Sequence, residues 1–382
     1  MKKLLLINTK YKILGGEDAN IIEEYKFLEK NFDVQFLEFD NSKRLSFFDI
    51  LAFFINSNIQ SNKEVSKTIK IFNPEVIYIH NTWFKLNLGI FKLLKKHREI
   101  QVIVKIHNLR YDCSRHFLKK AHLKGKAFCN ACSMEDSSTF FLNKYYKDSW
   151  VKSLLLWRYS KKYINILRKY PLKILVLNDF HKKYLSNLNV DNNKILNYYN
   201  PIFYNKNTYN PDSDYVVYAG RLNPEKGLTE LLKAWRSSKT EDIKLIIIGT
   251  GELNGPLNAE YSSDNVIFLG ELNNNETKDY IRNSRAVITA TKMYEGQPRL
   301  LCEASSYGVP SIYPSFGGMD EYFPDDYNYS FIQFDYKDLV IKIQELQNKN
   351  QLIKESIRVF EHIETQFSTE NASKVFNEIL CN

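Results

Sequence analysis

Short apolar segments follow one another in the second half of the chain, each bounded by polar or glycine-containing turns. They lie at residues 215–219, 243–248, 266–270 and 286–290. Continuous apolar runs of this length are typical of strands that are buried on both faces, as in a parallel sheet covered by helices. The succession therefore predicts an α/β domain built on a parallel sheet.

A turn that carries two cations follows the first of these segments. Gly220, Arg221 and Lys226 lie between it and a helix predicted over residues 228–235. Ligands of open α/β sheets bind outside the carboxyl ends of the strands, so these cations are placed to meet a diphosphate. Gly249 and Gly251 form a tight turn after the next segment. Taken alone, such a pair of cations is more often a pair of surface charges, and the glycines indicate only a tight turn.

Two carboxylates lie eight residues apart, at Glu295 and Glu303, and Gly296, Gln297 and Pro298 follow the first. Because proline is favoured at the first helical position, the pattern predicts a loop with Glu295 and a helix from about Pro298 that carries Glu303. The free amides of the helix start would bind phosphate, and Glu303 could accept hydrogen bonds from sugar hydroxyls. This arrangement suits a nucleotide sugar. The alternative is an amphipathic helix with two solvated glutamates.

In this order the motifs resemble those of retaining glycosyltransferases of the GT-B fold, particularly glycosyltransferase family 4, and the resemblance covers nearly the whole chain. Residues 219–227 look like the diphosphate-binding turn, Glu295 to Glu303 like the Glu-x7-Glu motif, and residues 317–321 like the Gly-Gly turn that follows. Residues 4–8 with the glycines at 15 and 16 resemble the first strand and glycine loop. The segments 80–83 and 107–110, followed by three cysteines, resemble a bacterial surface-polysaccharide branch.

The resemblance implies a role for each matched residue. Arg221 and Lys226 would neutralise the donor diphosphate and stabilise the leaving group. Glu303 would hold the ribose, while Glu295 and the amides near it would contact the sugar and distal phosphate. The predicted donor-binding residues are Gly15, Gly16, Gly220, Arg221, Lys226, Gly249, Gly251, Glu295, Gly296, Gln297 and Glu303. The predicted catalytic residues are His107, Glu295, Arg221 and Lys226, and the predicted acceptor-binding residues are His80, Asn81 and Arg110.

Two of these assignments carry open alternatives. His107 follows the strand predicted over residues 102–106, where an ordinary strand-end histidine is equally consistent with the sequence. Gln297 replaces the more usual aromatic residue of this motif, so the sugar preference of the family does not transfer to this chain.

The resemblance also implies retention of the anomeric configuration by a front-face mechanism, in which the departing diphosphate takes the acceptor proton. The donor half shows no convincing Asp-x-Asp motif, so we predict metal-independent catalysis without a cofactor, using a UDP- or GDP-linked sugar. Paired glutamates also serve glycoside hydrolases, but the cationic turn and the glycine turns argue against that reading. A sugar epimerase or a phosphorylase on the same fold is an alternative; the chain shows no clear signature for a pyridoxal-phosphate lysine.

A length of 382 residues suggests two domains. We predict an α/β protein of GT-B type, with two Rossmann-like domains facing a central cleft. Residues 1–196 would bind the acceptor and residues 197–364 the nucleotide sugar, while a helix within residues 365–382 would cross back to the first domain. The polar stretch at residues 197–214 is the predicted linker.

Positive charge is concentrated in the first half. The chain carries a net +9, yet residues 85–183 hold 23 Lys and Arg against 6 Asp and Glu, a net of +17. Residues 147–170 interleave basic and apolar side chains at helical spacing, which predicts either a membrane-interface helix or a core helix with a solvated basic face.

These features predict a polyprenyl-diphosphate-linked saccharide acceptor, in the assembly of a bacterial surface polysaccharide such as O-antigen or capsule. They also predict a location in the cytoplasm, peripheral at the anionic inner face of the cell membrane, with neither a signal peptide nor a transmembrane segment. The competing interpretation is a nucleic-acid-binding protein that uses the basic half. If the protein is this enzyme, we expect no nucleic-acid partner.

Five cysteines point to a reducing compartment, and three of them group as Cys113, Cys129 and Cys132. With His116 or His122 they could complete a tetrahedral zinc site. Free thiols in a loop are the alternative, and since a single Cys-x-x-Cys pair with one distant partner is a weak signature, we predict no metal site.

Overall fold

The structure is a computed structural model that describes residues 1–10, 16–41, 47–114, 129–131, 149–203, 208–240 and 242–381. Contacts divide the chain into two compact units, Met1–Pro201 and Ile202–Asn382. The division falls inside the stretch at 197–214 that the sequence marks as a linker. The roles assigned to the predicted domains, and the crossing of the last helix, stay predictions.

The first unit is built on a six-stranded parallel sheet in the order β2-β1-β3-β4-β5-β6. Leu4 to Ile7 of β1 and all four residues of β3 are buried, as expected for strands covered on both faces. The strands are β1 (Lys3–Lys10), β2 (Asp33–Asp40), β3 (Val76–Ile79), β4 (Gln101–Ile106), β5 (Lys173–Val176) and β6 (Ile195–Asn197). The helices are α1 (Gly16–Leu28), α2 (Phe47–Ile55), α3 (Ile59–Phe72), α4 (Gly89–Leu94), α5 (Arg110–Ser114), α6 (Trp150–Lys169) and α7 (Asp179–Asn187).

The second unit contains another six-stranded parallel sheet, in the order β12-β11-β10-β7-β8-β9. Its strands are β7 (Tyr215–Ala219), β8 (Lys244–Ile248), β9 (Val266–Gly270), β10 (Ala286–Ile288), β11 (Ser311–Ser315) and β12 (Ser330–Ile332). Its helices are α8 (Leu228–Ser238), α9 (Asn254–Tyr261), α10 (Asn274–Arg282), α11 (Arg299–Ser306), α12 (Tyr336–Gln344), α13 (Lys349–Gln366) and α14 (Thr369–Cys381). The predicted α/β class is confirmed.

Each sheet reverses its strand order at one point. In the first unit this point lies between β1 and β3, and in the second between β7 and β10. Loops at the carboxyl ends of two such neighbours diverge to opposite faces and leave a crevice, which is where open α/β sheets bind their ligands. Val217 of β7 pairs with Val287 of β10, so the loops that follow these two strands leave the sheet side by side.

The local structure of two predicted elements differs from the sequence reading. Pro298 is the residue before α11 rather than its first residue, because its ψ of 98° keeps it extended, and the helix starts at Arg299. The helix predicted over residues 147–170 is observed as Trp150–Lys169, capped by the Ser149 hydroxyl on the amide of Lys152. No helix within the described ranges combines the length and the apolar character that a bilayer crossing needs.

Candidate functional site

The turn after β7 is held against the loop after β10 by backbone contacts. The amide of Lys292 donates to the carbonyl of Glu225 at 2.9 Å. Gly227 has a φ of 68°, and a Cβ there would lie 1.9 Å from the carbonyl oxygen of Ala290, so only glycine fits this approach. The sequence thus brings the cationic turn to the loop that carries Glu295, at the point where the strand order reverses.

The centre of this site is an ion pair between two predicted site residues. Lys226 Nζ lies 2.6 Å from Glu295 Oε1, and each side chain is 24% exposed. Thr291 donates to the same carboxylate oxygen at 3.4 Å. The hydroxyl of buried Tyr322 donates to the carbonyl of Gly296 at 2.8 Å, so the loop around Glu295 is fixed from beneath. Tyr322 was not predicted.

Arg221 stands at the carboxyl end of β7 with an exposed side chain. Its carbonyl accepts the hydroxyl of Tyr218 at 3.1 Å. Burial, followed by the nearby carboxylates of Glu295 and Glu225, raises the pKa of Tyr218, which therefore stays a neutral donor that fixes the backbone of the turn.

The predicted Gly-x-Gly turn packs directly on the cationic turn. Gly249 has a φ of 128°, and a Cβ there would lie 2.0 Å from the carbonyl oxygen of Gly220. A Cβ on Gly251 would lie 2.6 Å from the carbonyl oxygen of Leu222, whose amide donates to Thr250 at 2.9 Å. These glycines permit the close approach of two backbone segments and leave this edge of the sheet open.

The second predicted carboxylate is engaged within its own helix. Glu303 Oε1 accepts Arg299 Nε at 2.7 Å, one turn earlier in α11. The predicted Gly-Gly turn at Gly317 packs against Tyr294, since a Cβ at Gly317 would lie 2.6 Å from Tyr294 Cδ1. Tyr294 directly precedes Glu295, so this turn supports the same loop. That Glu303 and Gln297 bind a donor stays a prediction.

In the first unit, two predicted histidines contact each other where β3 and β4 end. His80 Nδ1 lies 2.9 Å from His107 Nε2. His80 is buried and His107 is partly exposed. Burial, followed by Lys105, holds the pKa of His80 well below its ordinary value; burial, His80 and Lys105 do the same for the pKa of His107. Both rings are therefore neutral near pH 7, and one donates the shared proton to the other.

A buried ion pair that the sequence analysis missed lies beneath these histidines. Lys105 Nζ contacts Glu24 Oε2 at 2.9 Å, and the hydroxyl of Tyr78 donates to Glu24 Oε1 at 2.8 Å. Glu24 Oε2 is 3.9 Å from His80 Nε2. Lysine is almost never fully buried unless it is paired, so its place inside the apolar strand β4 was the signal that could have revealed this pair.

Other predicted residues of the first unit lie in the loop after β3 and at the starts of α1 and α5. Asn81 is buried; its Nδ2 donates to the carbonyl of Thr9 at 2.7 Å and its Oδ1 accepts the amide of Trp83. It therefore holds the loop after β3, and its contact with an acceptor stays a prediction. Gly16 begins α1 and Arg110 begins α5. Gly15, Cys132, His116 and His122, and the side chain of Arg110, lie outside the described part of the structure.

Within the described ranges, no group of three or more His, Cys, Asp or Glu side chains could hold a metal ion. The cationic turn can bind an anion, because Lys226 and exposed Arg221 supply positive charge beside the backbone of the glycine turns.

Comparison with known proteins identifies a family that matches the second half of the chain. Residues 201–358 match the family described as "Glycosyl transferases group 1". The second unit contains a glycosyl transferases group 1 domain. All the residues of the Lys226–Glu295 site, from Tyr218 to Tyr322, fall inside it.

Two curated bacterial proteins are similar to part of the chain. "Amylovoran biosynthesis glycosyltransferase AmsD" of Erwinia amylovora is 30% identical over 150 residues, which are 37% of this chain and 42% of that protein. "Putative teichuronic acid biosynthesis glycosyltransferase TuaC" of Bacillus subtilis is 30% identical over 112 residues, 29% of this chain and 27% of that protein. The match spans less than half the length of these relatives.

Solved structures resemble the whole chain. Anabaena Alr3699/HepE, crystallised with UDP and glucose, gives a TM-score of 0.70 at 14% identity and covers 100% of both chains. The sucrose-phosphate synthase of Thermosynechococcus elongatus gives 0.72 at 13% identity, covering 100% of this chain and 98% of the other. At such identities the likeness shows the fold, and it confirms the predicted GT-B class of two parallel α/β domains.

Proposed function

We propose that this protein is a retaining, metal-independent glycosyltransferase of the family 4 type. It transfers a sugar from a UDP- or GDP-linked donor to a saccharide acceptor in the synthesis of a bacterial surface polysaccharide. The contact between Lys226 and Glu295 carries this proposal, because it joins the predicted diphosphate turn to the first glutamate of the Glu-x7-Glu motif inside a group 1 domain. The similar AmsD is named for amylovoran biosynthesis and TuaC for teichuronic acid biosynthesis, and both names contain the word glycosyltransferase.

The donor diphosphate binds to Arg221 and Lys226. Arg221 is exposed at the end of β7, and a carboxylate oxygen already reaches the Lys226 ammonium, so a phosphate oxygen can take the place of that carboxylate beside the two cations. When phosphate oxygens approach Lys226, Glu295 is released to accept hydrogen bonds from sugar hydroxyls. Fixed cations that meet the charge developing on the leaving diphosphate lower the barrier more than the same charges would in water.

In the transfer step, the bond between the anomeric carbon and the distal phosphate oxygen breaks. The acceptor hydroxyl oxygen forms a new bond to the same face of that carbon, and its proton passes to an oxygen of the departing diphosphate. The step needs no protein nucleophile and no redox partner. His107, neutral and partly exposed, offers its ring to a sugar hydroxyl.

The acceptor is a saccharide linked to a polyprenyl diphosphate, reached from the cytoplasmic face of the membrane. An apolar patch in the first unit supports this part of the proposal. It joins exposed side chains of α2 to exposed side chains at the start of α6, and Arg158 of α6 donates to the carbonyl of Phe54 in α2 at 3.0 Å. The apolar patch consists of Phe48, Leu51, Phe54, Ile55, Trp150, Val151 and Leu154.

Basic residues surround the apolar patch. Lys152 lies between Val151 and Leu154 in α6, and Arg158, Lys161 and Lys162 follow within about two turns; Lys162 donates to the carbonyl of Asn56 at 3.3 Å. Apolar insertion beside Lys and Arg is the pattern of proteins that bind anionic lipid surfaces. Between Leu156 and Leu167 the apolar side chains of α6 are mostly buried and the basic ones are exposed, as expected for a core helix with a solvated basic face. The contact of the start of α6 with a membrane is part of the proposal.

Thermal stabilisation by nucleotides tests the donor site. UDP, GDP, ADP and their sugar conjugates are added, without metal, to the wild type, to Arg221→Ala and to the control Lys233→Ala, whose exposed lysine lies in α8. At a nucleotide concentration of 100 times the dissociation constant, about 2.7 kcal/mol of stabilisation is expected for the wild type and for the control. Arg221→Ala should require roughly tenfold more nucleotide for the same stabilisation, because this variant loses one charge-assisted contact.

Transfer itself is measured with the base that binds. A product with the donor's anomeric configuration supports the proposal, and free sugar, an epimerised donor or a sugar phosphate contradicts it. If no nucleotide stabilises the protein while RNA or DNA binds in a salt-dependent manner, the nucleic-acid-binding alternative replaces the enzyme.

A further inference from the structure

Two histidine rings in the first unit share one hydrogen bond, and its direction decides what the more exposed ring can bind. His80 Nδ1 lies 2.9 Å from His107 Nε2. The pKa of each ring lies well below its ordinary value, so each neutral ring carries one proton near pH 7. If the shared proton belongs to His107 Nε2, then His107 Nδ1 is a bare acceptor; if it belongs to His80, then His107 Nδ1 is a donor.

The surroundings of His80 hold its ring in one orientation. The amide of His80 donates to the carbonyl of Ile7 at 3.0 Å, and the ring packs on Tyr78 with 4.4 Å between the ring centroids. Only 4% of the residue is exposed. A ring packed in this way does not turn over without opening the core around it. Its Nδ1 therefore stays on His107, and its Nε2 stays on the side of Glu24.

The carboxylate of Glu24 decides which nitrogen of His80 carries the proton. Glu24 Oε2 is 3.9 Å from His80 Nε2, which is buried and has no hydrogen-bond partner. A bare Nε2 would set its lone pair against the negative charge, whereas an N–H group there directs a positive hydrogen towards it. Because the interior screens charges poorly, this difference is large. The proton of His80 therefore lies on Nε2, and its Nδ1 is the acceptor.

The nearby ammonium of Lys105 is directed elsewhere. It donates to Glu24 Oε2 at 2.9 Å and lies over the ring of Tyr198, 4.5 Å from the centroid. A bare His80 Nε2 would be a natural acceptor for this ammonium, yet the two form no hydrogen bond. The geometry around Lys105 thus agrees with a proton on His80 Nε2.

We propose that His80 is the positioning residue of His107. It accepts the proton of His107 Nε2, so that His107 offers Nδ1 as a bare acceptor on a partly exposed ring. The ligand group that fits this nitrogen is a hydroxyl, which donates a hydrogen bond, while a phosphate oxygen is repelled. This rests on the proposed function, in which a sugar supplies the hydroxyl.

NMR spectroscopy shows where the protons lie. The full chain is labelled with ¹⁵N-histidine, and correlations between the ring nitrogens and the carbon-bound ring protons distinguish a bare nitrogen from a protonated one. The two signal sets are assigned as those lost in His80→Asn and in His107→Asn. Both rings should carry the proton on Nε2 in the wild type. A His107 ring that carries its proton on Nδ1 overturns the proposal.

Replacement of His80 tests its effect on the neighbouring ring. In His80→Leu no acceptor faces His107, so its ring should populate both tautomers, and kcat/KM for sugar transfer should fall at least roughly tenfold. His80→Asn should keep the Nε2 proton of His107 and restore kcat/KM to within roughly threefold of the wild type, because its amide combines an acceptor for His107 with a donor towards Glu24.

A surface histidine provides the control. His97 contacts exposed Glu99 at 3.2 Å, and His97→Leu should leave the signals of His107 and kcat/KM as in the wild type. If His107 keeps a single tautomer in His80→Leu, or if His80→Asn loses as much activity as His80→Leu, the role of His80 is structural and the proposal fails.

The NMR result does not depend on turnover. A wild type that shows the expected tautomers but transfers no sugar contradicts the proposed function and still supports the hydrogen-bond direction. A wild type that transfers sugar with the proton on His107 Nδ1 contradicts the positioning role and leaves the proposed function intact. Should His80→Leu fail to fold, the wild type and His80→Asn decide the question.

Discussion

At the scale of single residues, burial and, after it, the ammonium of Lys105 keep the two histidines above the buried pair of Glu24 and Lys105 neutral. Burial lowers the pKa of Lys105, and the neighbouring carboxylate of Glu24 offsets part of that shift. The ammonium in turn disfavours a second positive charge on His80. A neutral His80 is then free to exchange a single proton with His107 across their 2.9 Å contact.

Removing one charge of the Glu24–Lys105 pair should lower the free energy of unfolding more than replacing both residues does. Glu24→Gln leaves a buried ammonium without its counter-charge, and we expect a loss of about 3–5 kcal/mol in the free energy of unfolding. The double variant Glu24→Gln/Lys105→Met removes both charges, keeps an acceptor for Tyr78, and should recover part of that loss. Urea unfolding of the full chain measures both.

The matched control is the surface pair of Asp214 and Lys244, whose side chains are 62% and 46% exposed. Asp214→Asn should cost no more than about 1 kcal/mol, because water and salt screen an exposed pair. An equal loss in the single and double variants of the buried pair would show that shape, rather than an unpaired charge, determines the cost.

At the scale of elements, the glycine turns set how closely the segments after β7 and β8 approach each other. Gly249→Ala places a Cβ against the carbonyl of Gly220 at a φ of 128°. We expect it to lower the free energy of unfolding by more than about 1 kcal/mol, since alanine is strained at positive φ. It should also weaken nucleotide binding, because the turn that holds Arg221 must move. Thermal unfolding with and without nucleotide measures both effects.

Gly255 provides the opposite case. It lies in α9, and nothing is found within 4 Å of the position its Cβ would take. Gly255→Ala should therefore stabilise the protein by about 0.5–1 kcal/mol through helix propensity alone, with nucleotide binding unchanged. Similar losses in both variants would mean that the close approach at Gly249 has no special importance.

The elements also show how far the sequence could predict the structure. The strands of the second unit and the cationic turn followed from local patterns, since apolar runs and glycine turns act over a few residues. The start of α11 was wrong by one residue, because the extended ψ of Pro298 depends on the loop before it. The pairing of Glu24 with Lys105 could not be predicted, since it depends on how α1 packs across β4, 81 residues away.

At the scale of the whole molecule, charge and apolar surface are concentrated in the first unit. The apolar patch on α2 and α6 includes Phe48, whose side chain is 77% exposed. Large apolar side chains rarely remain in water in this number beside basic residues unless they contact a partner. Among the partners considered, an anionic lipid surface is the one that uses both properties.

Vesicle binding tests this surface. The wild type should sediment with vesicles that contain phosphatidylglycerol and much less with phosphatidylcholine alone. Phe48→Ser/Leu51→Ser should weaken this binding at least roughly tenfold, because two large side chains no longer leave water. Ile357→Ser, which changes an exposed isoleucine of α13 in the second unit, should bind as the wild type does. Equal binding by all three proteins would assign the interaction to charge alone.

The parallel sheets also determine how this chain must fold. All ten pairings between the described strands are parallel. Parallel strands cannot be joined by a tight hairpin, so each pair of neighbouring strands can form only after a crossover segment of many residues has been made. Such non-local closure is slow. Yet in the part of the chain that the structure describes, no strand of the first sheet lies beyond Asn197. A ribosome that has released the first unit has therefore supplied every described strand of this sheet, and these strands can pair while the second unit is still being made.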